Sequence, residues 1–240
     1  MENELINTGK IPQPESKAKY ADMSKKFMYL FMIQVFLTIG SVLSVIIAWV
    51  NLNAAVLVCY SIAAFVLNIV FAIIHFLLGK YDSEFSLAGL FCIISQLFSF
   101  IKLYVPDTAM NMMITIVSLV FSALYILKFA NAMSSRFLPV DLSMSDSWET
   151  YRTANIYLIS ITCACLGLAI TSFIKFLAGI VSIFCALAAI GFLFWMLVLL
   201  YKSSVSMKAF ANKPDEPNSD NAPVTPIEPI PIVAPENQDI

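Results

Sequence analysis

Six long apolar stretches, separated by short polar segments, determine what this chain can fold into. They cover residues 27–49, 54–78, 86–105, 109–130, 154–174 and 177–201. None of them contains aspartate or glutamate, and their only lysines, Lys102 and Lys128, lie near stretch ends. An α-helix of about 20 residues crosses the hydrocarbon core of a bilayer. The stretches therefore predict an all-α, polytopic transmembrane helix bundle with six spans.

Composition agrees with this prediction and excludes one class of partner. The chain is 60% hydrophobic and only 12% charged, whereas soluble domains are about one-quarter charged. The surplus apolar surface predicts the lipid bilayer as a partner. The formal net charge of -2 argues against nucleic acid, which requires a basic surface.

The basic residues predict the orientation. If the N-terminus is cytoplasmic, all but two of the 14 lysines and arginines lie on the cytoplasmic side, the exceptions being Lys102 and Lys175. Lysine and arginine favour that side of a membrane, so we expect both termini there. Residues 1–26 are then a cytoplasmic segment, 27–201 the membrane domain and 202–240 a disordered, proline-rich cytoplasmic tail. Compact loops and the lack of a sorting signal favour a bacterial plasma membrane.

The predicted cytoplasmic loops contain two further signals. The loop 131–153 is the longest, and Asp146 followed by Glu149 is typical of a helix start leading into the fifth span. Trp148 and Tyr201 lie near predicted membrane interfaces, where aromatic side chains serve as anchors.

A short internal repeat suggests duplicated helical hairpins. The segment 99–102, Ser-Phe-Ile-Lys, recurs at 172–175 in the same order relative to the spans. Parallel repeats of this kind occur in membrane proteins. Chance similarity between apolar sequences is the alternative.

Polar side chains inside the spans are the candidate site. Asn68 and His75 are seven residues apart, nearly two helical turns, so they share one face. Gln34, Asn68 and Gln96 lie roughly 10–15 Å from the cytoplasmic ends of their spans, so three carboxamides can approach one plane. They either form a solute-binding site or hydrogen-bond between helices. His75, the only histidine, is either a proton-sensitive group or an interfacial side chain.

Small residues predict where helices approach closely. Gly40 and Ser44 are four residues apart in the first span, and Gly167 and Ser182 occupy similar small-residue patterns in the fifth and sixth. Small side chains at this spacing let membrane helices pack tightly.

Several chemistries are disfavoured. The spans contain no paired aspartates, and one histidine cannot complete a His-Glu-x-x-His zinc site. The sequence contains neither a phosphate-binding Gly-x-x-x-x-Gly-Lys loop nor Gly-x-Gly-x-x-Gly. We therefore expect no catalytic residue, no metal and no cofactor, and predict that the chain is not an enzyme.

Two functions remain. The short external loops and uncharged spans favour a membrane scaffold or accessory subunit, which would bind other membrane proteins or copies of itself. The alternative is a small-solute binding or transport protein with a polar site within the bundle. The arrangement of Gln34, Asn68, Gln96 and His75 decides between them.

The predicted topology can be tested with reporter fusions after residues 82, 107, 140, 176 and 215. We expect fusions at 82, 140 and 215 to report a cytoplasmic location, and those at 107 and 176 the opposite one, because lysine and arginine cluster on the cytoplasmic side. A cytoplasmic reporter at 107 would contradict the six-span topology.

Overall fold

The computed structural model describes residues 17–49, 54–170 and 175–213. Within these ranges the chain is helical throughout and contains no strand. The helices are α1 (Lys17–Trp49), α2 (Ala54–Leu78), α3 (Ser83–Ile101), α4 (Thr108–Phe137), α5 (Leu142–Ile170) and α6 (Lys175–Ala211), with a 3-10 turn at Lys102–Tyr104.

Aspartates mark the turns between the described helices. The carboxylate of Asp82 accepts a hydrogen bond from the backbone N–H of Glu84 at 3.0 Å at the start of α3, and that of Asp107 accepts one from Met110 at 2.7 Å at the start of α4. Asp141 accepts from the N–H of Met144 at 3.2 Å near the start of α5. Each aspartate satisfies a donor that the first helical turn leaves free.

The helices extend beyond the apolar stretches on the side predicted to be cytoplasmic. The expected long loop 131–153 is wrong: α4 continues to Phe137 and α5 begins at Leu142, so the helix starts before Asp146. Residues 17–26 belong to α1, and residues 202–211, assigned above to the tail, belong to α6. The first and last charged residues therefore mark where each apolar stretch ends, but the helices continue past them. The remainder of both predicted tails lies outside the described residues.

The six helices form a closed ring. Each described helix packs against its neighbours in sequence, and α6 packs against α1. Neighbouring helix axes are typically 8–10 Å apart, so a ring of six encloses a central space about as wide as one helix. Consecutive helices run in opposite directions. The α2–α3 and α4–α5 connections therefore lie at one end of the ring, and the α1–α2, α3–α4 and α5–α6 connections lie at the other end. We call the half with the α2–α3 and α4–α5 turns the packed half, and the other the cavity half.

Large side chains fill the centre of the packed half. The ring of Phe129 lies 5.9 Å from that of Phe85 and 5.4 Å from that of Trp148. Phe27 lies 6.3 Å from both Phe85 and Phe137. All five side chains are buried. These aromatic residues come from α1, α3, α4 and α5, so they join helices on different sides of the ring.

Trp148 is a core residue, and its assignment as an interface anchor is wrong. Its side chain is fully buried, and its indole Nε1 donates a hydrogen bond to Ser203 Oγ of α6 at 3.0 Å. The bond satisfies the polar atom of a tryptophan that otherwise packs as an apolar side chain. Tyr201, the other expected anchor, is exposed and packs against Phe31.

Polar contacts join neighbouring helices in the same half. Ser24 Oγ of α1 donates to the carbonyl of Ser204 in α6 at 2.8 Å, and Ser204 Oγ donates to the carbonyl of Ser24 at 2.9 Å. Lys128 of α4 lies 2.9 Å from Glu84 of α3. Side-chain hydroxyls and charges therefore hold the ring where aromatic side chains fill it.

A charged cluster closes the end of the packed half. Asp22 of α1 binds Lys26, Lys80 and Tyr81. The hydrogen bond to Asp22 raises the pKa of Lys80, and burial raises the pKa of Tyr81. The contacts join α1 to the α2–α3 turn at the side predicted to face the cytoplasm.

Five of the described helices, α1–α4 and α6, are long and apolar enough to cross a membrane, as expected for an integral membrane protein. α5 is not among them. Its first turns contain Asp146, Glu149 and Arg152, and residues 171–174, the end of the predicted fifth span, lie outside the described residues. Three of the four residues in the second copy of the 99–102 motif lie in the same gap, so duplication stays a prediction.

Replacing Trp148 by alanine should lower the free energy of unfolding by about 3 kcal/mol or more, because it empties a packed site and removes the donor to Ser203. Tyr157, on the same helix, is 67% exposed, so Tyr157→Ala should have little effect. Thermal unfolding of the purified protein, followed by circular dichroism, compares the two variants. A W148A protein with the wild-type melting temperature would contradict the role assigned to the core.

Candidate functional site

A cavity of about 620 Å³ occupies the centre of the helix ring next to the aromatic core. All six helices contribute to its wall. The side nearest the core is formed by residues such as Phe71, Tyr125, Tyr151 and Met196. The wall of the cavity half includes Ser41, Tyr60, Thr162 and Cys185. The space enclosed by a six-helix ring is therefore filled with side chains in one half and open in the other.

The three carboxamides identified in the sequence come together here. Gln34 of α1, Asn68 of α2 and Gln96 of α3 all line the cavity. A fourth carboxamide, Asn155 of α5, joins them and is buried. Four helices thus present the same functional group, which combines a hydrogen-bond donor and an acceptor, to one space.

Asn155 was missed because it lies at the first turn of the predicted fifth span, where a polar residue is unremarkable. Its spacing contained a signal. Asn155 and Thr162 both line the cavity and are seven residues apart. Asn68 and His75 have the same spacing. Tyr125 and Tyr151 were also missed, because tyrosine in an apolar stretch is equally typical of core packing.

The hydrogen bonds of the carboxamides are incomplete. The amide nitrogen of Asn68 donates to the carbonyl of Ala64 in its own helix at 2.8 Å. The side-chain amides of Gln34 and Gln96 have no hydrogen-bond partner among the described residues, although Gln34 is only 7% exposed. Neither amide is among the fully enclosed polar atoms without a partner in the described residues, so both keep accessible surface, and both residues line the cavity. These groups are available to bind a molecule in the cavity.

The serines of α3 and α4 behave differently. Ser95 Oγ lies 2.7 Å from Ser122 Oγ, and Ser99 Oγ lies 2.9 Å from Ser118 Oγ. Ser118 Oγ also donates to the carbonyl of Ser95 at 3.0 Å. These hydroxyls bond to one another across the helix interface, as polar residues between membrane helices do.

His75 lies in the aromatic core and does not line the cavity. It is fully buried, its Nδ1 lies 2.8 Å from the carbonyl oxygen of Phe71, and its ring lies 4.9 Å from that of Phe129. Its Nε2 has no partner among the described residues. His75 is therefore separated from the carboxamides by the layer that contains Phe71 and Tyr125.

The small residues have different surroundings. A methyl group at Gly40 would clash with the ring of Tyr60, so glycine lets a residue of the cavity wall approach α1. At Gly167, no atom of the described residues lies within contact distance of such a methyl group. The side chains of Ser44 and Ser182 lie outside the described residues.

The described residues that line the cavity include no lysine, arginine, aspartate, glutamate or histidine. Its polar groups are carboxamides, hydroxyls and the thiols of Cys92 and Cys185. Among the described residues, no group of three or more histidine, cysteine or acidic side chains is placed to hold a metal ion. These residues can bind a molecule through hydrogen bonds to the carboxamides and hydroxyls and through contact with the aromatic rings.

Comparisons with protein-family models, curated protein sequences and solved structures found no match to the chain.

Gln34→Met should leave the melting temperature of the ligand-free protein unchanged or raise it. Methionine has a similar shape, and replacing Gln34 removes no hydrogen bond to another described residue. Ser118→Ala is the control: its hydroxyl is fully bonded, so its removal should lower stability by about 1 kcal/mol. Thermal unfolding of both purified variants provides the comparison. A clear loss of stability in Q34M would show that Gln34 is bonded within the protein.

Proposed function

We propose that this protein binds a small uncharged solute in the cavity of its helix ring, as a membrane solute-binding or transport protein. One observation carries the proposal: carboxamides from four helices, Gln34, Asn68, Gln96 and Asn155, line a single cavity. Ligand sites are typically cavities of 300–1,000 Å³ with apolar walls and a few convergent polar groups.

The contrast between amides and serines favours a site over simple interhelical bonding. Polar groups that only join helices would be bonded across an interface, as Ser95 and Ser122 are at 2.7 Å. Gln34 and Gln96 have no such partner among the described residues. A solute with donors and acceptors would supply hydrogen bonds that these amides do not make within the described residues.

The lining favours an uncharged solute. Transferring an ion from water into a cavity without a counter-charge costs several kcal/mol, and the described part of the cavity wall contains no charged side chain. The site is therefore expected to reject ionised relatives of its solute. The proposal includes no reaction, because it assigns no nucleophile or general base.

In the proposed membrane arrangement, α5 also crosses the membrane, which gives six spans in total. Both termini then lie in the cytoplasm of a bacterial cell. The packed half contains the lysines at the start of α1 and most of the other described basic residues, among them Lys80, Arg136, Arg152 and Lys208. The preference of basic residues for the cytoplasmic side would place the cavity half toward the outside. Solute would then reach the site from there.

The test is ligand-dependent stabilisation of the full chain across a panel of uncharged solutes and their charged analogues. We expect at least one uncharged solute to raise the melting temperature of the wild-type protein. Asn68→Leu should weaken its binding at least tenfold, because losing one buried hydrogen bond costs about 1.4 kcal/mol.

Thr115→Val is the matched control. Thr115 lies in an apolar span and donates to the carbonyl of Asn111 in its own helix at 2.8 Å, as Asn68 does to Ala64, but it does not line the cavity. The control should bind the solute like the wild type. A stable co-purifying partner with no response to any solute would instead favour a scaffold or accessory subunit.

A further inference from the structure

The unused hydrogen-bonding capacity of the cavity is concentrated in carboxamides. A carboxamide presents a donor and an acceptor side by side, and it pairs best with a molecular edge that does the same. Gln34 and Gln96 make no hydrogen bond to another described residue, whereas Asn68 already uses one of its two N–H donors on the carbonyl of Ala64. The best-matched ligand therefore has an adjacent donor and acceptor.

Five of the described aromatic residues contribute to the remaining wall, beside a larger number of aliphatic side chains. Tyr60 and Phe71 come from α2, Tyr125 from α4, Tyr151 from α5 and Phe192 from α6. The rings of Phe71 and Tyr125 lie 6.4 Å apart, and those of Tyr151 and Phe192 lie 6.0 Å apart. A ligand next to the core thus meets aromatic surface from four helices. Aromatic side chains bind flat ring systems with little dependence on ring identity.

We propose that the solute is a flat, neutral heterocycle that carries a lactam-like edge, with its N–H and carbonyl paired to the carboxamides and its rings against the aromatic wall. This inference rests on the proposed function. The cavity of about 620 Å³ is large enough for a drug-sized, fused-ring molecule.

Two other classes of neutral solute fit less well. A polyol needs a partner for each hydroxyl, but Ser95 and Ser122 are bonded to each other, which leaves few free groups besides the amides and the hydroxyl of Tyr125. A long-chain alcohol has one hydroxyl and would leave at least one of Gln34 and Gln96 without a partner. Each unsatisfied buried group lowers affinity.

The test titrates the full-length protein in lipid nanodiscs with quinazolin-4-one and alloxazine, and follows melting temperature and heat of binding. The matched control ligand is 3-methylquinazolin-4-one, which keeps the rings and carbonyl but lacks the N–H. We expect at least one heterocycle to bind, and methylation or Gln96→Met to weaken quinazolinone binding about tenfold. Thr115→Val should have no effect.

Myo-inositol and 1-decanol separate failure of this inference from failure of the proposed function. Stabilisation by either, lost in Asn68→Leu, with no response to the two heterocycles would overturn the heterocycle class and leave solute binding standing. Equal affinity for quinazolin-4-one and its methylated form would also overturn it. If neither heterocycle binds, the class is wrong, and the broader solute panel decides whether the protein binds a solute at all.

Discussion

The aromatic core of the packed half is the contact on which the rest of the structure depends. A ring of six helices has no helix at its centre, and contacts between neighbours alone leave a space about one helix wide. Phe129 and Trp148 meet edge to face at 5.4 Å near the centre of that space. Because rings from several helices meet there, the core fixes the spacing of the ring, and the cavity begins where the core ends.

Hydroxyls and carboxamides have different places in the ring: the hydroxyls bond between helices, and the carboxamides line the cavity. Serines are short, so a pair such as Ser24 and Ser204 bonds to backbone and side chain across two closely packed helices at 2.8–2.9 Å. Glutamine is longer, and at Gln34 it reaches past the interface to the cavity. Side-chain length therefore separates groups that hold the ring from groups that face its interior. The same distinction explains why the interhelical serines have hydrogen-bond partners in the neighbouring helix, whereas Gln34 and Gln96 have none among the described residues.

Sequence periodicity predicted the helices well and their environment poorly. The stretch 54–78 matches α2 from end to end, because hydropathy records which residues avoid water. It does not record which helices are neighbours, so the ring order could not be predicted. Nor could the burial of Trp148, since an aromatic residue beside charges suits both an interface and a core. The segment 131–153 was misread as one long loop because its polar composition hid the end of α4 and the start of α5, which leave only residues 138–141 as a turn.

The carboxamides show the limit of sequence reasoning about a site. The seven-residue spacing placed Asn68 and His75 on one face of α2, yet the core surrounds His75 and the cavity receives Asn68. A shared face fixes direction, whereas depth along the helix decides whether a polar group meets packed rings or open space. Gln34, Asn68 and Gln96 come from three consecutive helices of the ring, and all three line the cavity. An open space at this depth, lined by uncharged donors and acceptors, is more than helix packing requires.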